Sequence, residues 1–202
     1  MYIDVSKSSP VEVYSYLVGI VSPRPIGWVT TVDLEGQVNL APYSFFNMFG
    51  ANPPVVVFSP TLRRDGSKKD TLLNVEATGE FVLNAAVESL VDAVNLSSSE
   101  LAHGESEVDL TGMKLLPSTI VKPPRVAASP AHIECRVMQV IKVGEGPMSG
   151  NLVLGEILAV HIDEAVLGDD GKIDPRKLKT IARLGGDWYC GTSDLFQRKR
   201  PI

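Results

Sequence analysis

At 202 residues, 44% of them hydrophobic, the chain is long enough to bury a substantial core and is expected to form one domain over residues 1–202. A formal net charge of −5 leaves no dominant basic stripe, which argues against nucleic acid or an anionic membrane as a partner. The first residues lack a charged-then-apolar leader pattern and no run of ~18 apolar residues occurs, so the expected location is the cytoplasm.

In chain order, Ser9-Pro10 gives an N-cap followed by proline at the first helical position, and Val11 to Leu17 completes a short opening helix. Ile20 to Val32 is apolar and β-branched, but Pro23 and Pro25 lack amide donors; the first half is confined to an edge or bulge, and Ile26 to Val32 is the better strand. Asp33 to Gly36 supplies a turn, and Val38 to Ala41 returns as the hairpin partner. Val55 to Ser59 suits a fully buried strand. Asp70 is expected to cap a helix that runs through Thr78 and stops at Gly79. Phe81 to Ala86 reads as a strand, Glu88 to Leu101 as a helix, and His103 to Pro124 as a polar, proline-bearing excursion across the surface. Ala131 to Val143 and Leu152 to Ile162, joined by a Gly/Pro/Ser-rich turn, form the longest hairpin. Strands that meet modest helices without βαβ alternation favour a closed antiparallel sheet, mainly β with α excursions.

Chemistry concentrates in two stretches. The loop Thr61 to Thr71 sets Arg63, Arg64, Lys68 and Lys69 just ahead of a helix whose first amides and dipole favour an anion, with Ser59 and Thr71 as short donors. A solvated basic loop is the plain alternative. Asn39 to Asn52, with Tyr43, Ser44, Phe45, Phe46 and Asn47, suits a platform of backbone amides and aromatic faces for a flat ring, although Phe45 and Phe46 also suit a core. Arg24, between two prolines, is stiffly held to meet an anion or a structural carboxylate. Arg183 with Gly185-Gly186 permits close approach to a flat ligand, or simply a closing turn. His132 and His161 lie on strands, where a satisfied structural role is the default, and His103 lies in a polar loop. The histidines show no metal-ligand spacing, and neither do Cys135 and Cys190, which read as reduced, buried thiols. No Ser-His-acid or paired-acid constellation and no G-x-G-x-x-G fingerprint is present.

Taken in order, Ser22-Pro23-Arg24-Pro25-Ile26-Gly27, the Asp33-Leu34-Glu35-Gly36 turn, Ala41-Pro42-Tyr43-Ser44-Phe45-Phe46, Asn52-Pro53-Pro54, Lys69-Asp70-Thr71 and the late Ile181-Ala182-Arg183-Leu184-Gly185-Gly186 with Tyr189 resemble the flavin reductase-like, FMN-binding split-barrel family. The resemblance spans nearly the whole chain. It implies an antiparallel split β-barrel that binds FMN, with Lys69 and Thr71 at the 5′-phosphate, Ser44 to Asn47 beside the flavin ring and Thr30 and Thr31 on the facing strand. It also implies a homodimer, with the loop of Arg183, Gly185 and Gly186 near the flavin and close to the partner subunit. His161 is the one histidine to consider for a catalytic role near the flavin. The implied activity is hydride transfer from NADH or NADPH, with delivery to free flavin, a partner oxygenase, oxygen or a metal chelate. Alternatives are a flavin electron carrier of the flavoredoxin kind or a sensor, a pyridoxamine-phosphate-oxidase-like enzyme, and a barrel that has lost its cofactor. The Pro-Arg-Pro and Lys-Asp-Thr order fits flavin reductases better than the oxidase, and the intact phosphate loop argues against the last reading.

Overall fold

The computed structural model describes residues 1–102 and 105–201, so His103 lies outside the described residues. Helix α1 (Pro10–Ile20) opens where the Ser9 hydroxyl accepts the Glu12 amide at 3.2 Å, and it runs one turn past the expected Leu17. Strands β1 (Arg24–Pro25), β2 (Gly27–Val32), β3 (Val38–Tyr43), β4 (Phe46–Ala51) and β5 (Pro54–Phe58) precede α2 (Asp70–Thr78) and β6 (Glu80–Ala85). There follow α3 (Val91–Leu96), α4 (Glu107–Thr111), β7 (Leu115–Leu116), β8 (Arg125–Val126), β9 (Ala131–Lys142), β10 (Asn151–Ile162), α5 (Pro175–Leu178), β11 (Ile181–Arg183) and β12 (Tyr189–Gly191).

The main sheet has the order β3-β2-β6-β9-β10-β5-β4, with every pairing antiparallel. Strands β3 and β4 occupy its opposite edges, yet only Ser44 and Phe45 separate them in the chain. A two-residue link cannot span an open seven-stranded sheet, so the sheet curls until its edges meet. The product is the antiparallel split barrel expected from the sequence. Val29, Tyr43, Val56, Phe58, Phe81, Leu83, Cys135 and Val153 fill it, and Leu72 and Val75 of α2 close one end. Irregularities in the β9–β10 register at Leu154/Gly155 and Ile157/Ala159 supply curvature. Gly155 is required at the first of these, because a Cβ there would lie 2.3 Å from the buried Phe81 ring.

A second core surrounds Trp28, whose indole donates to the Ser97 hydroxyl at 2.9 Å and whose neighbours include Ile26, Leu40, Val94, Val126 and Ile181. Val108, Met113 and Leu115 pack against this cluster. The stretch read as a surface excursion is therefore partly a cover for the barrel, its apolar residues too sparse to show periodicity. Three further expectations are revised. Strand β4, composed of Phe46, Asn47, Met48, Phe49, Gly50 and Ala51, carries no alternating pattern and forms by pairing with β5. The helix expected over 88–101 is a 3-10 turn followed by six residues, because the hydroxyls of Ser97, Ser98 and Ser99 turn back onto the carbonyls of Val94, Asn95 and Leu96. Cys190 is only half-buried, on β12 of a small sheet ordered β1-β11-β12; Cys135 is buried, and both are free thiols.

Two charged side chains act as internal fasteners. The guanidinium of Arg24, on β1, donates to the carbonyls of Val18 and Val21 at the end of α1 and to Leu184 at 2.9 Å, binding the small sheet to the helix. Glu134, on β9 and fully buried, accepts the amides of Thr119, Ile120 and Val121 at 2.7, 2.6 and 3.0 Å, and its Oε1 lies 2.6 Å from His161 Nε2. Burial alone would raise the Glu134 pKa, but the amides and the imidazole outweigh it and hold the carboxyl at about 2.

A group whose folded pKa lies below its unfolded value of ~4.3 stabilises the fold above that pH and ceases to do so as pH falls through the folded pKa. Replacing Glu134 by Gln is therefore expected to lower stability at pH 7 by roughly 1–3 kcal/mol. The deficit should shrink as pH drops from ~4.5 toward 2, as followed by urea unfolding across that range. A deficit independent of pH would contradict the assignment.

Candidate functional site

Along β3, Asn39, Ala41 and Tyr43 share one face, by the two-residue period of a strand. That face meets the start of α2, and together with the segment 97–101 and Glu107 they line a cleft. Helix α2 is tied to β3 and β2 by side-chain hydrogen bonds and core packing. Asn39 Nδ2 donates to Thr71 Oγ1 at 2.8 Å, Asn74 Nδ2 donates to Thr31 Oγ1 at 3.0 Å, and Leu72 and Val75 are locked in the barrel core.

The N-cap of α2 is Lys69, in an extended conformation, and not Asp70 as expected. Asp70 already belongs to the first turn, where a carboxylate suits the helix dipole, and it pairs with Arg63 at 3.3 Å. No side chain caps the helix. The Leu72 and Leu73 amides both reach the Lys69 carbonyl, and the amides ahead of them have no acceptor within the helix.

Charge in the cleft is unevenly compensated. Among the described residues no carboxylate lies within ion-pair distance of Lys69, whose Nζ stands 5.9 Å from the Tyr43 ring centroid. Burial, and then the neighbouring Arg63, lower the Lys69 pKa. Glu107 accepts the Leu40 amide at 3.0 Å, and burial raises its pKa above the ordinary carboxylate value. The Tyr43 hydroxyl, its pKa raised by burial, sits close to Thr71 but makes no hydrogen bond of acceptable geometry. Thr71 Oγ1 accepts from Asn39, which leaves its own hydrogen to give. Two cations, helix-start amides and hydroxyl donors thus converge on one space, an arrangement that favours an anion with several acceptor oxygens.

Of the residues singled out from sequence, Tyr43, Arg63, Lys69, Asp70 and Thr71 line this cleft, whereas Arg24, Thr30, Thr31, Ser44 to Asn47, Ser59, His161, Arg183, Gly185 and Gly186 do not. Arg24 has its donors committed as described, with Nε a further 3.4 Å from Ser44 Oγ. Thr30 and Thr31 are fully buried on opposite faces of β2, accepting from Asn84 and Asn74. Phe45 is 42% exposed and meets Tyr14 edge to face, Phe46 packs on the barrel core, and Asn47 bonds the Met48 amide. Ser59 donates its amide to the Phe45 carbonyl, which pins the β3–β4 link. Arg183 stacks over Tyr189, 4.5 Å from the centroid, and lies 3.9 Å from Asp187. The close approach at Gly185 is to α1, since a Cβ there would stand 3.3 Å from Gly19 Cα, and Gly186 takes a positive φ of 58° in the turn that follows. His161 is engaged with Glu134 outside the cleft. Conversely, the cleft includes Asn39, Ser97 to Ser99 and Glu107. None of these carries a motif, because their place follows from β3 register and from the abrupt end of α3.

Comparison with known proteins agrees with the barrel. Residues 21–178 match the family described as flavin reductase like domain. An uncharacterized protein of Halalkalibacterium halodurans is 38% identical over 192 residues, which is 94% of this chain and 91% of that one. Nitrilotriacetate monooxygenase component B from Bacillus cereus has a similar structure, with a TM-score of 0.92 and 33% identity over 98% of both chains. So does the 2-nitrobenzoate 2-nitroreductase of Pseudomonas fluorescens, with a TM-score of 0.89 and 31% identity over 100% of this chain and 96% of that one. Among the described residues no helix is long and apolar enough to cross a membrane, and no cluster of metal-ligating side chains occurs. By the extent of the family match and the identity of its relatives, the chain belongs to the flavin reductase-like family.

Proposed function

We propose that the chain is an FMN-binding oxidoreductase that takes hydride from NADH or NADPH and passes the electrons to flavin or another acceptor. The observation that carries this reading is Lys69, a half-buried cation with no carboxylate partner among the described residues, standing at a helix start beside the unpaired, buried Tyr43 hydroxyl. Those are the features a phosphate monoester satisfies, so the donor set fits FMN. Lys69, Arg63, the α2 amides and the Thr71 hydroxyl hold the phosphate in this reading. The backbone from Ser44 to Asn47, fixed to β5 by the Ser59–Phe45 bond, borders the ring. FMN, when bound, supplies a ring that accepts two electrons as hydride and releases them. The protein binds, orients and keeps out water. No residue of the cleft is asked to move a proton in this step, in keeping with the engagement of His161 by Glu134.

The Bacillus cereus relative is one component of a monooxygenase, which supports a partner oxygenase as the acceptor. A homodimer is part of the same proposal. An apolar groove walled by Gly27, Phe46, Ala85, Ile133, Val160 and Ile181 among others, with no charged side chain among the described residues that line it, is the face a second copy would cover.

Lys69→Ala is expected to weaken FMN binding by about 10- to 100-fold, the worth of one charge-assisted bond, and to leave riboflavin binding nearly unchanged. Fluorescence titration with both flavins reads this directly, and equal losses for the two would sink the phosphate assignment. Anaerobic addition of NADH and NADPH to the FMN complex should bleach the flavin absorbance with at least one donor. Bleaching by neither would favour the electron-carrier reading. Sedimentation equilibrium should give twice the 21.8 kDa chain mass, and a monomer that retains FMN would remove the second copy from the account.

A further inference from the structure

Strands β5 and β10 pair as far as Phe58 opposite Val153. Continued two residues at a time, that register sets Pro60 opposite Asn151 and Leu62 opposite Ser149, past the end of β5 and into the root of the basic loop. Pro60 has no amide to give, so the backbone ladder cannot run through it unaided. Asn151, only 3% exposed, fills the gap with its side chain, donating from Nδ2 to the Pro60 carbonyl at 3.0 Å. One step further the ladder resumes. The Leu62 amide donates to the Ser149 carbonyl at 2.9 Å, and the Leu62 side chain packs on the barrel core.

Both sides of this extension are built to hold. On the β10 side, the Ser149 amide donates to the Gly146 carbonyl at 3.2 Å and closes a turn with Pro147 and Met148 at its corner. Met148 takes a φ of 64° there, a left-handed conformation that a bulky side chain keeps only where its surroundings fix it. On the loop side, the Arg63 amide donates to the Ser67 carbonyl at 2.8 Å, the Gly66 amide donates to the Arg63 carbonyl at 3.0 Å, and the Asp65 carboxylate accepts both the amide and the hydroxyl of Ser67. A loop closed at its tip keeps its own shape, and its root decides where that shape sits.

We infer that Asn151 is a positioning residue for the cleft: by carrying the β5–β10 register past Pro60 it sets the backbone of Arg63, a role that rests on the flavin-phosphate reading above and deepens it. Asn151 does not itself line the cleft, whereas Arg63 does. The far end of the Arg63 side chain is held by Asp70 and the Leu101 carbonyl, and the near end follows the backbone that Asn151 and Ser149 fix. A phosphate then meets a cation already in place, and less ordering is left to be done on binding.

The test is equilibrium titration of the full chain with FMN and riboflavin, alongside Asn151→Ala, Arg63→Ala and the double variant. Asn151→Ala is expected to weaken FMN binding by roughly 3- to 10-fold, the scale of one neutral hydrogen bond, and to leave riboflavin within about 2-fold. In the Arg63→Ala background the same substitution should cost less than about 2-fold more, because the group it positions is gone. Hydrogen exchange on the unaltered, flavin-free protein needs no variant to fold, and it should find the Leu62 amide protected. Equal losses for the two flavins would reduce Asn151 to ordinary packing and overturn the inference. So would an undiminished FMN affinity in Asn151→Ala, a full repeat of the loss in the Arg63→Ala background, or rapid exchange at Leu62. Equal binding of FMN and riboflavin by the unaltered protein would instead overturn the phosphate reading, and the inference with it.

Discussion

Helix α2 is held at the mouth of the barrel by core packing and by hydrogen bonds to two neighbouring strands. Leu72 and Val75 are part of the barrel core, and the Asn39–Thr71 and Asn74–Thr31 hydrogen bonds tie its inner face to β3 and β2. The first amides of the helix are consequently aimed at one place, against the face of β3 that carries Tyr43. Lys69, as the residue that enters the helix, inherits that position. A mobile helix with the same residues would offer an anion a weaker site, because ordering it would cost conformational entropy on binding.

The same barrel shows what a charged side chain looks like when its role is architectural. Arg24 spends its guanidinium on three backbone carbonyls, and Glu134 accepts three amides and an imidazole. Each is buried, and its capacity is filled by the protein itself, as a buried charge requires. The half-buried Lys69 and the buried Tyr43 hydroxyl differ because they leave hydrogen-bonding capacity over. The contrast between filled and unfilled hydrogen-bonding capacity separates the cleft from the rest of the polar interior.

Much of this was legible in the sequence where the signal is local. The Ser9-Pro10 helix start, the Gly79 stop with its positive φ of 70°, the β2–β3 hairpin and the long β9–β10 pair all follow from turn and cap chemistry that acts over a few residues. Strand β4 was not legible, since Asn47, Gly50 and two exposed apolar residues reveal nothing until β5 lies beside them. Nor were the partners of Arg24 and His161. A proline-flanked arginine and a strand histidine each fit a ligand as well as a lattice of internal bonds, and the internal partners they have lie as far as 160 positions away. Glu107 reaches the cleft only because α4 covers the edge of β3, a long-range consequence with no sequence pattern.

In the proposed function the start of α2 receives the phosphate of a flavin. A crystal structure of the protein grown with FMN tests it most directly. Phosphate oxygens are expected within hydrogen-bonding distance of Lys69 Nζ and of the first α2 amides, with the Tyr43 hydroxyl provided with a partner. Phosphate bound elsewhere, with Lys69 and the α2 amides facing only solvent, would contradict it.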